Sequence, residues 1–170
     1  MMVGRAQSAV GIAFVLGLLS GGAQAQDKTG CDQFKWSVAR ERAWFAAERK
    51  PVATGATIVA GQGYAVTLAP NEAVSFRVPP ERALKPGGFG AALSLANIDK
   101  AGVYEVTLSD EGRIDAVQDN AIVKSTDFSG QKDCPGVRKS VRFDLKAGPL
   151  TVQISNAPAA AIDLAIAPAQ

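Results

Sequence analysis

The sequence predicts an all-β protein, a two-sheet antiparallel β-sandwich of jelly-roll-like form with about nine strands and one short N-terminal helix. Three observations support this class. After Pro51 the chain consists of short segments in which apolar and polar residues alternate. Glycine, proline, asparagine and aspartate separate these segments. About 145 residues follow position 25, enough for one domain with a single core.

The first 25 residues are typical of a cleaved signal peptide. Arg5 precedes an apolar run over residues 9–19, and the run leads to Ala23-Gln24-Ala25, the small-x-small pattern of a cleavage site. The run is shorter than the about 20 residues that span a bilayer. Polar residues separate it from Cys31, which argues against a lipid anchor. We therefore expect cleavage after Ala25 and a soluble mature protein, either periplasmic or secreted, that is not inserted in a membrane.

Residues 26–50 are predicted to form an N-terminal arm that contains the helix. Trp36, Ala39, Ala43 and Ala47 recur at helical spacing, and Pro51 follows where a helix commonly stops. Residues 51–170 then form the β-sandwich domain.

Each predicted strand places apolar side chains on one face and polar side chains on the other. Val106 and Leu108, for example, alternate with Glu105 and Thr107. Strands this short need a second sheet to bury their apolar face, which predicts a sandwich. The predicted spans are residues 64–68, 74–78, 93–95, 104–108, 113–118, 121–125, 141–145, 150–154 and 162–166.

Two connections have distinctive compositions. Asp119-Asn120 lies between two strand segments and tolerates left-handed backbone, which predicts a hairpin. Residues 79–88 contain prolines and glycines and are expected to form a surface loop that exposes Glu81, Arg82 and Lys85.

Charge, histidine and cysteine content restrict the function. Removing Arg5 lowers the formal charge from +2 to +1, so no strong field attracts nucleic acid or an anionic membrane. The chain has no histidine, which excludes serine–histidine nucleophiles and histidine-bound zinc or iron. No cofactor is expected. Cys31 and Cys134 are the only cysteines, and in an exported protein we expect them to form a disulfide.

Four cations surround Cys134 in the sequence: Lys132, Arg138, Lys139 and Arg142. If the disulfide fixes them together, they form a candidate site for sulfate, phosphate or carboxylate groups of a polysaccharide or an envelope protein. The alternative interpretation is a solvated, charged strand entry that protects a sheet edge.

Two tryptophans on the arm, Trp36 and Trp44, are candidate stacking platforms for a sugar. The alternative interpretation is that both pack the helix against a sheet.

Acidic residues are concentrated between positions 110 and 127. Loop carboxylates bind calcium, and a suitably spaced pair hydrolyses glycosides. The spacing matches neither arrangement, and we interpret Asp110-Glu111 before Gly112 as a turn. The acidic residues are Asp110, Glu111, Asp115, Asp119 and Asp127.

Residues 101–155 have a pattern of strands and turns similar to that of secreted bacterial β-sandwich modules. Ala101-Gly102-x-Tyr104 precedes one strand, a hairpin presents Asp119, and Ala147-Gly148 starts a closing strand. With this pattern, the chain resembles modules of the pre-peptidase C-terminal type and of the protective-antigen carbohydrate type. The second family binds calcium through adjacent aspartates, and Asp110-Glu111 departs from that pattern.

The whole mature chain also resembles a group of small exported proteobacterial proteins, some of which are labelled homogentisate 1,2-dioxygenase. The resemblance rests on Cys31-Asp32-x-Phe34-x-Trp36, on residues 78–82 and on residues 133–141. We reject the dioxygenase activity for this chain, because that enzyme is far larger and binds iron through histidines.

Three functions are compatible with these observations. The first is a non-catalytic module that binds a polysaccharide, another envelope component or a protein partner. The second is a histidine-free enzyme that uses carboxylates or a lysine, with candidates in residues 110–127. The third is a structural envelope protein whose edge strands pair with another chain.

Overall fold

The computed structural model describes residues 1–2 and 29–170 of the chain. The signal-peptide prediction therefore lies outside the described residues. A 3₁₀ turn at Gly30–Gln33 and helix α1 at Ala39–Ala46 are followed by twelve strands. The strands are β1 Lys50–Ala53, β2 Thr57–Ile58, β3 Gln62–Thr67, β4 Ala69–Pro70, β5 Phe89–Ile98, β6 Gly102–Leu108, β7 Arg113–Gln118, β8 Ala121–Val123, β9 Ser125–Gly130, β10 Lys139–Leu145, β11 Gly148–Ala157 and β12 Ala161–Pro168.

The strands form two sheets, as the sequence predicts. Sheet A has the order β1-β3-β12-β6-β10-β9, and sheet B has the order β2-β5-β11-β7-β8, with β4 also paired to β5. The all-β two-sheet sandwich is confirmed. Within the described residues, no helix is both long enough and apolar enough to cross a membrane.

The expectation of purely antiparallel sheets is wrong at two places. β1 runs parallel to β3, with Lys50 opposite Tyr64. β2 runs parallel to β5, with Thr57 opposite Ser94. Side-chain alternation indicates which residues face inward but carries no information about strand direction. The short strands β1, β2 and β4, and the edge strand β9, were also not predicted.

The core lies between the two sheets and uses the alternating residues. Val106 and Leu108 of β6 in sheet A and Val152 and Ile154 of β11 in sheet B are fully buried and belong to one hydrophobic cluster. The predicted inward residues of β10 and β12 belong to the same cluster: Val141, Phe143, Leu145, Ile162, Leu164 and Ile166.

The strand predicted at residues 74–78 does not form, although its alternation is real. Val74 is buried and Arg77 is exposed. The backbone of Val78 is hydrogen-bonded to a side chain instead of to a neighbouring strand. Its N–H donates to Gln153 Oε1 at 3.1 Å, and its carbonyl accepts from Gln153 Nε2 at 3.1 Å. Gln153 belongs to β11, so its amide replaces a strand partner for this segment. Residues 79–87 are almost entirely exposed, in agreement with the predicted loop.

The predicted hairpin is present between β7 and β8. Gln118 pairs with Ala121, and the two residues between them have positive φ, 52° at Asp119 and 58° at Asn120. Both central residues are left-handed, as a type I′ turn requires.

The arm contains the single short helix expected there, but a different helix face is buried. Ala39 and Ala43 are exposed, whereas Val38, Glu41 and Phe45 are buried. Trp36 precedes the helix rather than lying on it. The arm ends at Arg49, and β1 begins at Lys50.

Candidate functional site

The arm is attached to the sandwich by a disulfide between Cys31 and Cys134, which confirms the expected pairing. The two cysteines are separated by 103 positions in the sequence, and their Cα atoms lie 4.5 Å apart. The Gly30 N–H also donates to Asp133 Oδ2 at 3.0 Å. A second, smaller hydrophobic cluster lies under the arm and contains Phe34, Val38, Phe45, Cys134, Val137 and Ala165. Covalent and apolar contacts together fix the arm on the outer face of sheet A.

Trp36 is half-buried and hydrogen-bonded to sheet A. Its Nε1 donates to Ser140 Oγ at 3.1 Å, and that hydroxyl oxygen accepts from Thr107 Oγ1 at 2.9 Å. The guanidinium carbon of Arg142 lies 4.1 Å from the centre of the indole ring. Two of the predicted site residues, Trp36 and Arg142, are therefore brought together, and both contribute to holding the arm in place.

A carboxylate from the sheet lies at the centre of this contact. Glu105 is 1 % exposed, and its Oε1 accepts from Arg142 Nε at 3.0 Å and Nη2 at 2.7 Å. Its Oε2 accepts from Arg40 Nη2 at 3.3 Å. Burial raises the pKa of Glu105, and the hydrogen bonds and charge of Arg142 partly offset this rise. Glu105 thus links the arm to β10 through two guanidinium groups.

A second glutamate joins the same charged group. Arg40 Nη2 lies 2.6 Å from Glu41 Oε1, and the side chain of Glu41 is 2 % exposed. Glu41 Oε2 is buried and has no hydrogen-bond partner within the described part of the chain. Arg40 also donates to the carbonyl of Pro168 at 3.1 Å, which connects the arm to the last strand.

The other predicted cations are not gathered at one point. Arg138 forms a salt bridge with Glu111, and Lys139 Nζ donates to the carbonyl of Gly112 at 2.8 Å. Lys132 is exposed. Lys139 and Arg142 are an odd number of positions apart on β10, so their side chains leave opposite faces of the strand. The structure therefore does not gather the four cations into one anion site.

Trp44, the other predicted aromatic, is half-buried on α1. The guanidinium carbon of Arg40 lies 5.3 Å from its ring centre. Whether Trp36 or Trp44 contacts a ligand stays a prediction.

A groove of about 910 Å³ runs along the arm. Trp36, Phe34 and Val38 contribute its apolar surface. Lys35 and Arg42 contribute two cationic groups, and Asp32 contributes one carboxylate. The side chain of Lys35 is 57 % exposed, and its Nζ lies 2.6 Å from Asp127 Oδ1. This hydrogen bond lowers the pKa of Asp127. The sequence reasoning missed Lys35 and Arg42, although Lys35 lies directly beside Trp36.

The acidic residues between 110 and 127 are distributed over separate elements. Asp110 and Glu111 lie in the β6–β7 turn, Asp115 on β7, Asp119 at the hairpin tip and Asp127 on β9. Asp119 is paired with Lys146 at 2.9 Å. Among residues 1–2 and 29–170, no three carboxylate, cysteine or histidine side chains are placed to hold a metal ion together.

The described structure therefore defines a class: a mixed two-sheet β-sandwich with a disulfide-closed arm on one outer face. No protein-family model, no curated protein and no solved structure matches the chain.

Proposed function

We propose that the protein is an exported, non-catalytic module that binds an acidic envelope polysaccharide in the groove along its arm. The observation that supports this proposal is the composition of the groove: an indole and other apolar side chains lie beside two cations, Lys35 and Arg42, and these outnumber the single carboxylate of Asp32. Sugar rings pack on aromatic faces, and carboxylate or sulfate groups pair with lysine and arginine. The disulfide fixes the arm before a ligand arrives, which lowers the ordering cost of binding.

The test is binding of the oxidised protein to a uronic-acid polysaccharide and, separately, to a neutral glucan. We expect saturable binding to the acidic polymer that weakens as salt rises, because exposed charge pairs are screened. The double variant Lys35→Glu, Arg42→Glu should reduce binding by about tenfold or more, since the two cations that line the groove become repulsive. Both residues are exposed, so the fold should tolerate the change.

The matched control reverses two exposed lysines that lie away from the arm, Lys85→Glu and Lys100→Glu. It changes the net charge by the same amount and should leave binding within about twofold of the wild type. Equal loss in both double variants would mean that total charge, and not the groove, attracts the polymer. Failure to bind the acidic polymer at all would overturn the proposal.

Export is the second part of the proposal and rests on the first 25 residues together with the disulfide. Disulfides persist in oxidising compartments, and the sequence before Gln26 is typical of a signal peptide. The mature protein recovered from a periplasmic or culture fraction should begin at Gln26. Recovery of the full chain from the cytoplasm would contradict this part alone. The similarity to small exported proteobacterial proteins agrees with export and stays part of the proposal.

A further inference from the structure

A second cavity, of about 300 Å³, lies at the open edge of the sandwich and shares no lining residue with the arm groove. The short strand β8 pairs with β7 only through residues 116–118, so the first half of β7 has no strand beside it on that side. The chain then crosses to sheet A, where β9 is an edge strand. The cavity occupies the gap that this early crossing leaves.

Positive charge predominates on the walls of this edge cavity. Four cations line it, Arg82, Arg113, Lys124 and Lys139, against two carboxylates, Glu81 and Asp115. The excess is therefore two positive charges. Asp115 is 3 % exposed and is already bonded to the Glu81 N–H at 3.2 Å.

Arg113 has a hydrogen-bond donor that the described residues leave unused. Its Nε is buried without a partner among them, and its Nη2 lies 3.3 Å from Glu81 Oε2. A buried N–H without an acceptor destabilises the folded state. The side chain of Arg113 as a whole is 38 % exposed, so the rest of its guanidinium is accessible to an anion in the cavity.

Lys139 of β10, in sheet A, also lies close to other positive charges at the cavity. Its pKa is lowered, first by burial and then by the neighbouring charges of Arg113 and Arg138, against an opposing effect of Glu111. Its Nζ donates to the carbonyl of Gly112 on the β6–β7 turn, so it stays at the cavity wall. A bound anion would relieve the repulsion between these cations.

The remaining wall of the cavity is apolar. Val141 and Phe143 of β10 and Ile114 of β7 line it from inside. Phe128 lines it from the edge strand and is 65 % exposed, which is unusual for so large an apolar side chain. The cavity thus combines cationic groups with an apolar surface.

We propose that the edge cavity binds a small amphipathic carboxylate, with its carboxylate at Arg113 and Lys139 and its apolar body against Phe128, Val141 and Phe143. The volume is at the low end of the about 300–1,000 Å³ of ligand pockets. At the ~30 Å³ that a water molecule occupies in the liquid, it holds roughly ten non-hydrogen atoms.

The test uses octanoate, which has this size, and compares it by calorimetry with octan-1-ol and with inorganic phosphate. Octanoate should bind at least about tenfold more tightly than either, because the alcohol lacks the charge and phosphate lacks the apolar body. If octan-1-ol bound as tightly as octanoate, the contact would be merely apolar. If phosphate bound as tightly as octanoate, the site would recognise only the negative charge. Either result would overturn the proposal.

Two variants assign the binding to this cavity. Arg113→Met removes the unused donor and should weaken octanoate binding by about tenfold, while Arg77→Met, at an exposed arginine outside the cavity, should not. Val123→Trp should block the cavity without removing any charge, which keeps the test decisive if Arg113→Met fails to fold. Unchanged octanoate binding in a folded Arg113→Met or Val123→Trp protein would overturn the proposal.

Discussion

Each sheet has an outer face that is covered by a segment without strands, and the two covers are held in different ways. Residues 29–49, the arm, lie on sheet A, and residues 71–88, the covering loop, lie on sheet B. The arm is joined by a disulfide and by the charged group of Arg40, Glu41, Glu105 and Arg142. The covering loop is held mainly by neutral amide hydrogen bonds.

The hydrogen bonds of the covering loop are reciprocal. Asn71 Nδ2 donates to Asn156 Oδ1 at 3.0 Å, and the Asn156 N–H donates to Asn71 Oδ1 at 3.2 Å. Gln153 makes a similar pair with the Val78 backbone. One carboxylate, Asp115, also lies under this loop and accepts from the Glu81 N–H.

The arm and the covering loop bury polar groups of the two sheets at different electrostatic cost. Two buried carboxylates at the contact between the arm and sheet A, Glu41 and Glu105, must be compensated by guanidinium groups, and desolvation makes such pairs costly to form. Amides need only matched donors and acceptors, so they bury polar groups without placing charge in a low dielectric. The arm should therefore depend on redox state and on intact charge partners, and the covering loop mainly on hydrogen-bond complementarity.

The largest expected effect is loss of the disulfide. Cys31→Ser with Cys134→Ser should lower the free energy of unfolding by about 4–5 kcal/mol in the chain-entropy description, because the link closes a long loop. Denaturant unfolding with and without reductant measures this. Reductant should destabilise the wild type and leave the double variant unchanged. A loss below about 1 kcal/mol would show that noncovalent contacts already fix the arm.

The next prediction compares an arginine of the arm with an arginine of the covering loop. Arg40→Gln leaves Glu41 and Glu105 buried with fewer partners and should cost about 3 kcal/mol. Arg77→Gln removes a single exposed hydrogen bond from the covering loop to Asn120 and should cost below about 1 kcal/mol. Equal losses in denaturant unfolding would remove the distinction between the two covers.

A smaller effect is expected at the amide that replaces a strand partner. Gln153→Leu leaves the Val78 N–H and carbonyl without this partner and should cost about 2 kcal/mol. The matched control, Gln33→Leu, changes an exposed glutamine and should remain within about 0.5 kcal/mol of the wild type. Chemical denaturation measures both variants. Similar values for the two would mean that the covering loop does not depend on this pair.

The smallest expected effect is a pH dependence of stability. It involves one carboxyl group under the arm, Glu105, and one under the covering loop, Asp115. Burial raises the folded-state pKa of Glu105 above its ordinary 4.5 and that of Asp115 above its ordinary 3.8. The folded state thus favours the protonated form, and this stabilisation is lost as pH rises through the raised pKa. As pH rises above the ordinary pKa values of these two carboxyl groups, Glu105→Gln and Asp115→Asn should each flatten the fall in melting temperature that we expect for the wild type. Parallel curves would contradict both assignments.

The sequence alone supports much of the sandwich. Residues 104–108, 141–145, 150–154 and 162–166 alternate so regularly that their inward faces could be predicted, because side-chain direction in a strand follows from local geometry. The hairpin at Asp119-Asn120 could also be predicted from local sequence, since it depends on two residues that tolerate left-handed backbone. Cysteine count and the export signal were enough to predict the disulfide.

The candidate sites were predictable only in part. Trp36 and Arg142 were singled out and meet under the arm, but the prediction did not include Glu105, which looked like an ordinary outward residue of a half-exposed strand. The edge cavity depends on the early end of β8, and no local pattern marks that end.

The all-β class, the inward face of the main strands and the cysteine pair could be predicted from local periodicity and composition. The parallel pairing of β1 and β2, the covering of each outer face and the separation of Lys139 from Arg142 could not. Those features depend on contacts between residues far apart in the chain, and alternation within a strand carries no information about which distant segment will cover it.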